Sequence, residues 1–375
     1  MNSPAASPQT IAVSITGTGM YAATGDLDAA LWGAIAARLF SGRPVAGLTV
    51  PATDQGMEQP YFAPIAALPE QLKSVVRIPI MAQEALSQAS AFLPEDRIGL
   101  RILILTLLPA SSPERPIAGN LNQEELAAAL RDTHPALAMA EVRFATADTG
   151  ATSHLSQVIG ELQEGRWDAV LFGGADSLTD RGTILALAAK GRCRTDRHPE
   201  GILPGEGAAY LLLEKQEADR PCRALITGLG QACEENPGKA ANCRMTALTN
   251  SIEQALAQAQ CKPSQVETLI LPMGKDVAAT LEWYQVQRKL WSKPEEIHPD
   301  QEELHLQNSI GDTGAAALPL SLVIGCARFE FNFPPAERTI VCEAGRGEPR
   351  GAVFLKKLKQ QTKSVSIQGA RTDEK

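Results

Sequence analysis

The chain has 375 residues, 44% of them hydrophobic, seven cysteines and a formal net charge of -8. That apolar content builds a large core, as one unit or two fused halves, and a pI near 5.3 argues against nucleic acid or an anionic membrane as partner. No run of about 18 apolar residues reads as a membrane span, and the start, MNSPAASPQT, lacks the layout of a secretory signal. The cysteines show neither a CxxC pair nor metal spacing, so a reduced, cytoplasmic setting without metal, cofactor or membrane insertion is expected.

In chain order, residues 1–9 read as a flexible tail. Thr10 to Thr16 is an apolar strand running into I-T-G-T-G, and Asp26 is placed to cap a helix reaching Phe40. Residues 43–75 are rich in Pro and Gly and read as an excursion with little regular structure. Pro79 opens a helix to about Ala91. Leu100 to Leu107 is a strongly apolar strand. Asn122 with Glu125 is a capping-box-like start for a helix to Arg131, and Val142 to Ala145 is a strand feeding Asp148. Asp148 and Thr149 stand where a helix N-terminus needs acceptor side chains. Leu155, Val158, Ile159 and Leu162 then recur at helical spacing, and Gly165 closes the helix. Ala169 to Phe172 is a continuous apolar run, as a strand covered on both faces shows. Gly173 and Gly174 let the backbone turn closely.

Cys222 to Leu229 is a further strand. It ends I-T-G-L-G, echoing Ile15 to Gly19. A helix from about Met245 to Gln260, a strand over Val266 to Leu271 and a helix over Asp276 to Leu290 follow. His305 to Ser309 is short and extended, Gly314 to Arg328 is an apolar helix, and Thr339 to Cys342 and Gly351 to Leu355 are closing strands. Residues 358–375 are polar and expected to be disordered. Strands alternating with helices imply an α/β protein whose parallel sheets are covered by helices. The echo suggests an internal duplication.

Gly165 opens G-R-W-D-A-V-L-F-G-G-A-D-S, Gly205 opens G-E-G-A-A-Y-L-L-L-E, and Ser309 opens S-I-G-D-T-G-A-A-A. In these stretches the chain resembles the β-ketoacyl synthases of the thiolase superfamily. Members carry G-x-A-D-x-x-[LIV]-x-G-G-A-[DE]-[AS], then G-E-G-A-x-x-[LV]-x-L-E, then N-I-G-H-T-x-A-A. The resemblance covers roughly residues 10–357. It implies a thiolase-like five-layer α-β-α-β-α sandwich built from two duplicated halves, 10–215 and 222–357.

Such synthases use a cysteine thiolate, activated by the N-terminus of a buried helix, as the acyl acceptor. Two histidines bind the malonyl thioester, assist its decarboxylation and stabilise the enolate. The resemblance puts Asp148 on the cysteine, where T-A-C-x-[ST]-G becomes T-A-D-T-G. It puts Asp312 on the second histidine and Gln307 on the lysine that often precedes it by five positions. Aligning Glu282 with the acid closing H-G-T-x-T-x-x-x-D-x-x-E puts Leu271 on the first histidine, and a shift of one gives Pro272. Arg346 falls on the gating Phe of S-F-G-F-G-G-T-N. Each of these positions has lost its reactive group.

Read from its residue type alone, Asp148 is a helix cap, since an anion is favoured at a helix N-terminus. If the fold is kept, Asp148 and Asp312 face one pocket, and two close carboxylates share a proton or pair with a cation such as Arg346. A new acid/base or metal site is the competing reading, but no third ligand is evident and no histidine is near in sequence. Asp196, in the family's R-P-F-D turn, and Glu206 read as structural. Cys193, Cys233 and Cys243 lie in loops, and none follows the nucleophile motif.

The resemblance therefore implies a non-catalytic synthase-like protein, a pseudoenzyme that works by binding or as a scaffold subunit. Its partner would be a second copy, or an active synthase as in chain-length-factor heterodimers, and an acyl carrier protein could dock on either. The apolar strands Leu100 to Leu108 and Ala169 to Phe172 are compatible with such association. Two alternatives stand beside it. One is an accessory or adaptor protein of a secretion system that holds a secreted effector. The other is a residual acyl-thioester decarboxylase, weakened by loss of both histidines, since such donors are worth about 2.7–4 kcal/mol each.

Overall fold

The computed structural model describes residues 11–51, 56–93, 99–112, 115, 120–217, 220–235, 245–271, 277–331, 334–344 and 347–358. The tails expected at 1–9 and 358–375 (save residue 358), and the positions Pro272, Arg346 and Cys243, lie outside the described residues.

The apolar runs become ten strands of one sheet: β1 (Val13–Ala22), β2 (Ile102–Leu108), β3 (Glu141–Thr146), β4 (Ala169–Ser177), β5 (Glu206–Lys215), β6 (Ala224–Cys233), β7 (Thr268–Leu271), β8 (Glu302–His305), β9 (Arg338–Ala344) and β10 (Pro349–Lys356). The order is β8-β7-β9-β10-β6-β1-β5-β4-β2-β3. It reads the same from both ends once β6–β10 are matched to β1–β5, so the duplication is explicit in the topology. The halves meet along a short antiparallel seam, Val13–Ile15 against Ala224–Ile226. The echoed I-T-G segments also share a defect. The register breaks between Ile15 and Gly17 in β1 and between Ile226 and Gly228 in β6.

Both halves are mixed rather than parallel. β2, β3 and β4 run parallel, as do β7, β8 and β9. β5 and β10 turn antiparallel to their neighbours. Only four residues link β9 to β10, too few for the crossover that parallel neighbours require. β2 and β4 are buried at every position and paired on both sides. The edge strands of the sheet are therefore β3 and β8, and β2 and β4 offer no free edge.

The helices fill three layers. α2 (Ser74–Ser90) and α3 (Gln123–Arg131) cover the first half, and α6 (Ala247–Gln258) and α7 (Val277–Leu290) cover the second. Between the halves, α4 (Ala151–Gln163) and α9 (Ala317–Phe331) pack against strands of both. Gly314–Phe331 is long and apolar enough to cross a membrane, but 78% of it is buried inside the protein. Sheets on both sides leave it no polar face.

Several helix ends differ from expectation. α1 (Asp28–Ala36) starts after Leu27 and stops well before Phe40, where Arg38 turns to φ 53. α2 begins five residues before Pro79. Its first N–H donates to Asp180 Oδ1 at 3.0 Å and Arg77 ties it to Glu206, so tertiary contacts carry the helix past the missing proline N–H. His305 closes β8, and Leu306–Ile310 is a short helix, α8. Among the described residues, the excursion at 43–73 holds two tiny ladders, Arg43–Pro44 with Tyr61–Phe62 and Val50–Pro51 with Met57–Glu58, and α5 (Arg181–Ala189) packs on it through Ile184 and Leu187.

Candidate functional site

The site forms where the heads of α4 and α9 face each other across the halves. Ala147–Thr149 makes one tight turn and Gly150, at φ 100, aims the chain into α4. This turn leaves Asp148 exposed, with no side-chain bond to the helix. The capping role expected of Asp148 falls instead to Glu343, the penultimate residue of β9. Its Oε1 accepts from the Ala151 N–H at 2.6 Å and its Oε2 from the Thr152 N–H at 2.7 Å. Asp176, the penultimate residue of β4, has a matching place before α9, accepting from the Ala315 N–H at 2.8 Å in the single turn Gly314–Ala316 that leads into that helix. Each half thus caps the other's central helix with a carboxylate.

A cavity of about 970 Å³ opens here, within the size range of small-molecule sites. Asp148, Asp312, Gln307 and Glu343 line it, so the structure brings the Gln307–Asp312 segment together with two positions far from it in sequence. Asp312 is tied down by its backbone, with its N–H on the Leu203 carbonyl at 2.7 Å and its C=O on the Gly205 N–H at 2.9 Å. Its Oδ1 accepts from the Gly314 N–H at 3.0 Å. Leu271 is elsewhere. It is 0% exposed and packs in the outer core of the second half with Leu248 and Ile252. Glu282, the acid that set its alignment, does reach the cavity and accepts from Arg350 Nε at 2.7 Å.

Besides Glu343, the cavity residues Arg115 and His198 carry no signal in the sequence. Arg115 lines the cavity beside Asp176 rather than bridging Asp148 and Asp312, the pairing expected of Arg346. It donates to Asp176 Oδ2 at 2.9 Å. Burial alone would lower its pKa, but Asp176 and Asp312 outweigh that and raise it. His198 lines the cavity with Nδ1 2.8 Å from Glu200 Oε1. No motif marks either residue, because loops bring them in.

Beneath the cavity Glu206 is a buried hub, accepting from Arg77 Nε at 2.6 Å, Ser177 Oγ at 2.9 Å, Thr179 Oγ1 at 3.0 Å and the Ile65 N–H at 2.7 Å. Asp196 accepts from the Tyr61 hydroxyl at 2.8 Å, away from the helix heads. Among the described residues no cysteine lines the cavity, and burial pushes the Cys193 thiol up to about 12, which denies it thiolate character. Among the described residues no group of three or more His, Cys, Asp or Glu could hold a metal. The arrangement offers carboxylates and one histidine–glutamate pair, and no thiolate at the head of α4.

No protein-family model and no curated protein matches the sequence. Solved structures do. The ishigamide ketosynthase/chain length factor superposes with a TM-score of 0.70 at 16% identity, over 93% of this chain and 100% of that one. The chain has the thiolase-like fold of the ketosynthases. A β-ketoacyl synthase from Burkholderia phymatum STM815 gives 0.70 at 14% identity, again over 93% and 100%. A type II polyketide-synthase ketosynthase, solved in complex with its acyl-carrier protein, gives 0.67 at 16% over the same shares.

Proposed function

We propose that this chain is a non-catalytic, ketosynthase-like protein that acts by binding, as one subunit beside a synthase-like partner. One observation carries the reading. The helix head that would activate a nucleophile is occupied by the chain's own Glu343, while Asp148 stands exposed beside it. A carboxylate makes a poor acyl acceptor, because the anhydride it forms hydrolyses. Neither Asp312 nor Leu271 supplies an imidazole. The ketosynthase/chain length factor pairing named for one structural neighbour supports a synthase-like partner. So does β3, an edge strand that ends next to Asp148 and has a neighbour on one side only, since an open edge pairs readily with another strand.

The purified chain, incubated with acyl- and malonyl-loaded acyl carrier protein, should form no acyl-protein adduct by mass spectrometry and release no carbon dioxide. An adduct, or decarboxylation abolished by Asp148→Ala, would restore an enzymatic role. Light scattering of the chain alone, and together with a co-expressed synthase, reads the association.

A further inference from the structure

The two reciprocal caps are not equivalent. Asp176 is 0% exposed and is held by Arg115 as well as by the Ala315 N–H. Glu343 is half-buried, lines the cavity, and is held by the two N–H groups of α4. A third donor stands beside it. The Thr152 hydroxyl, on a residue 1% exposed, has no hydrogen-bond partner. Both groups border the space left by Gly351. A Cβ there would overlap Thr152 Oγ1 and lie 2.8 Å from Glu343 Oε2. A buried donor with no acceptor is costly to keep, and this one sits against the position of an anion. Two helix N–H groups beside a roomy cavity, with a spare buried hydroxyl across the Gly351 gap from the carboxylate they hold, make a cradle for an oxyanion.

We infer that the head of α4 is an anion-binding cradle that the chain fills with its own Glu343, an autoinhibitory contact. While Glu343 is in place, the carboxylate or phosphate group of a ligand is kept out of this end of the cavity by occupancy and by like charge. A ligand bearing such a group binds here when Glu343 swings away. The inference rests on the binding reading of the site, yet the two fail separately. Acylation of the wild-type chain would end that reading whatever anions do, and the test below uses no acyl substrate.

The test is a thermal-shift titration with sodium sulfate against sodium chloride at matched ionic strength. Sulfate stabilises proteins in general through exclusion from their surface, so the readout is the saturable excess over wild type. Glu343→Ala should melt lower than wild type in chloride and recover part of that loss saturably in sulfate. Glu343→Ala with Thr152→Val should recover less. Glu343→Gln, which keeps the volume but sets an NH2 against an N–H donor, should show a smaller gain of the same kind and decides the matter if the alanine variant does not fold. Equal sulfate response in wild type and both single variants would overturn the inference. So would failure of both variants to fold, which would make Glu343 a structural clasp and nothing more.

Discussion

Gly19 and Gly230 are where the duplication can be tested energetically. Each lets a helix lie directly on its strand. A Cβ on Gly19 would overlap the Ala85 carbonyl oxygen of α2, and one on Gly230 the Ser251 carbonyl oxygen of α6. Both obstacles are helix backbone, so the helix itself must lift from the sheet. Overpacking of this kind costs about 1–3 kcal/mol, and the stiffer unfolded chain of alanine returns about 0.4–1 kcal/mol. A net loss of about 1.3 kcal/mol, between limits of about 0 and 2.6 kcal/mol, is expected for Gly19→Ala and, similarly, for Gly230→Ala. Gly33→Ala is the control. Gly33 is exposed in α1, and a Cβ there would meet nothing within 4 Å. Alanine should therefore cost nothing at this position and gain up to about 1 kcal/mol of helix propensity. Urea unfolding followed by far-ultraviolet circular dichroism gives all three. If Gly33→Ala costs as much as the other two, or if Gly230→Ala matches wild type, close helix–sheet approach is not what these glycines provide.

Two further outcomes follow from buried and half-buried charge. Arg77 and Glu206 have side chains 2% and 0% exposed, so Arg77→Met should cost about 3–5 kcal/mol by leaving an unpaired buried carboxylate. Urea midpoints should show a far larger loss than Arg101→Ala, which breaks only the exposed Arg101–Asp168 pair, and equal losses would refute the reasoning. For Glu161, burial alone would raise the carboxyl pKa, but hydrogen bonds from Trp167, Arg143 and Gln157 overcome it and lower the value. Its contribution to stability is therefore complete above the ordinary glutamate range and lost as pH falls through the lowered folded value. The gap between wild type and Glu161→Gln, measured by urea unfolding at a series of pH values, should be widest near neutrality and shrink in acid. A gap that widens in acid would show that the sign is wrong.

The strands were legible because burial writes itself into composition. Ile102–Leu108 and Ala169–Phe172 have no polar face to hide. The I-T-G echo was legible because the bulge and the close helix approach need the same small residue in both halves. Most helix starts were not legible, and the reason is spatial. Asn122 does cap α3 locally, its Oδ1 accepting from the Glu124 and Glu125 N–H groups at 3.1 and 3.3 Å. The layer-forming helices instead take acceptors from afar: Asp180 for α2, Glu343 for α4, Glu234 for α6 and Asp176 for α9. A local rule that looks for an acceptor just before the helix points to Asp148 and misses Glu343, 192 residues from its partner Ala151. Arg115 and His198 were invisible for the same reason, since each reaches the cavity through the path of a loop.

That spatial logic also bears on why the site keeps its shape. A helix head turned toward a cavity presents N–H groups that must be satisfied, and its dipole favours negative charge there by about 0.3–1 kcal/mol, more where partly buried. In a condensing enzyme of this fold a thiolate benefits from that field. In this chain Asp148 is exposed and makes no side-chain bond to the helix, so the field remains and something else must answer it. Glu343 does so from the opposite half, and the tight glycine turn at Gly150 together with the room beside Gly351 lets it reach. The contact at the head of α4 is therefore also one that joins the halves, because its acceptor comes from β9 and its donors from α4.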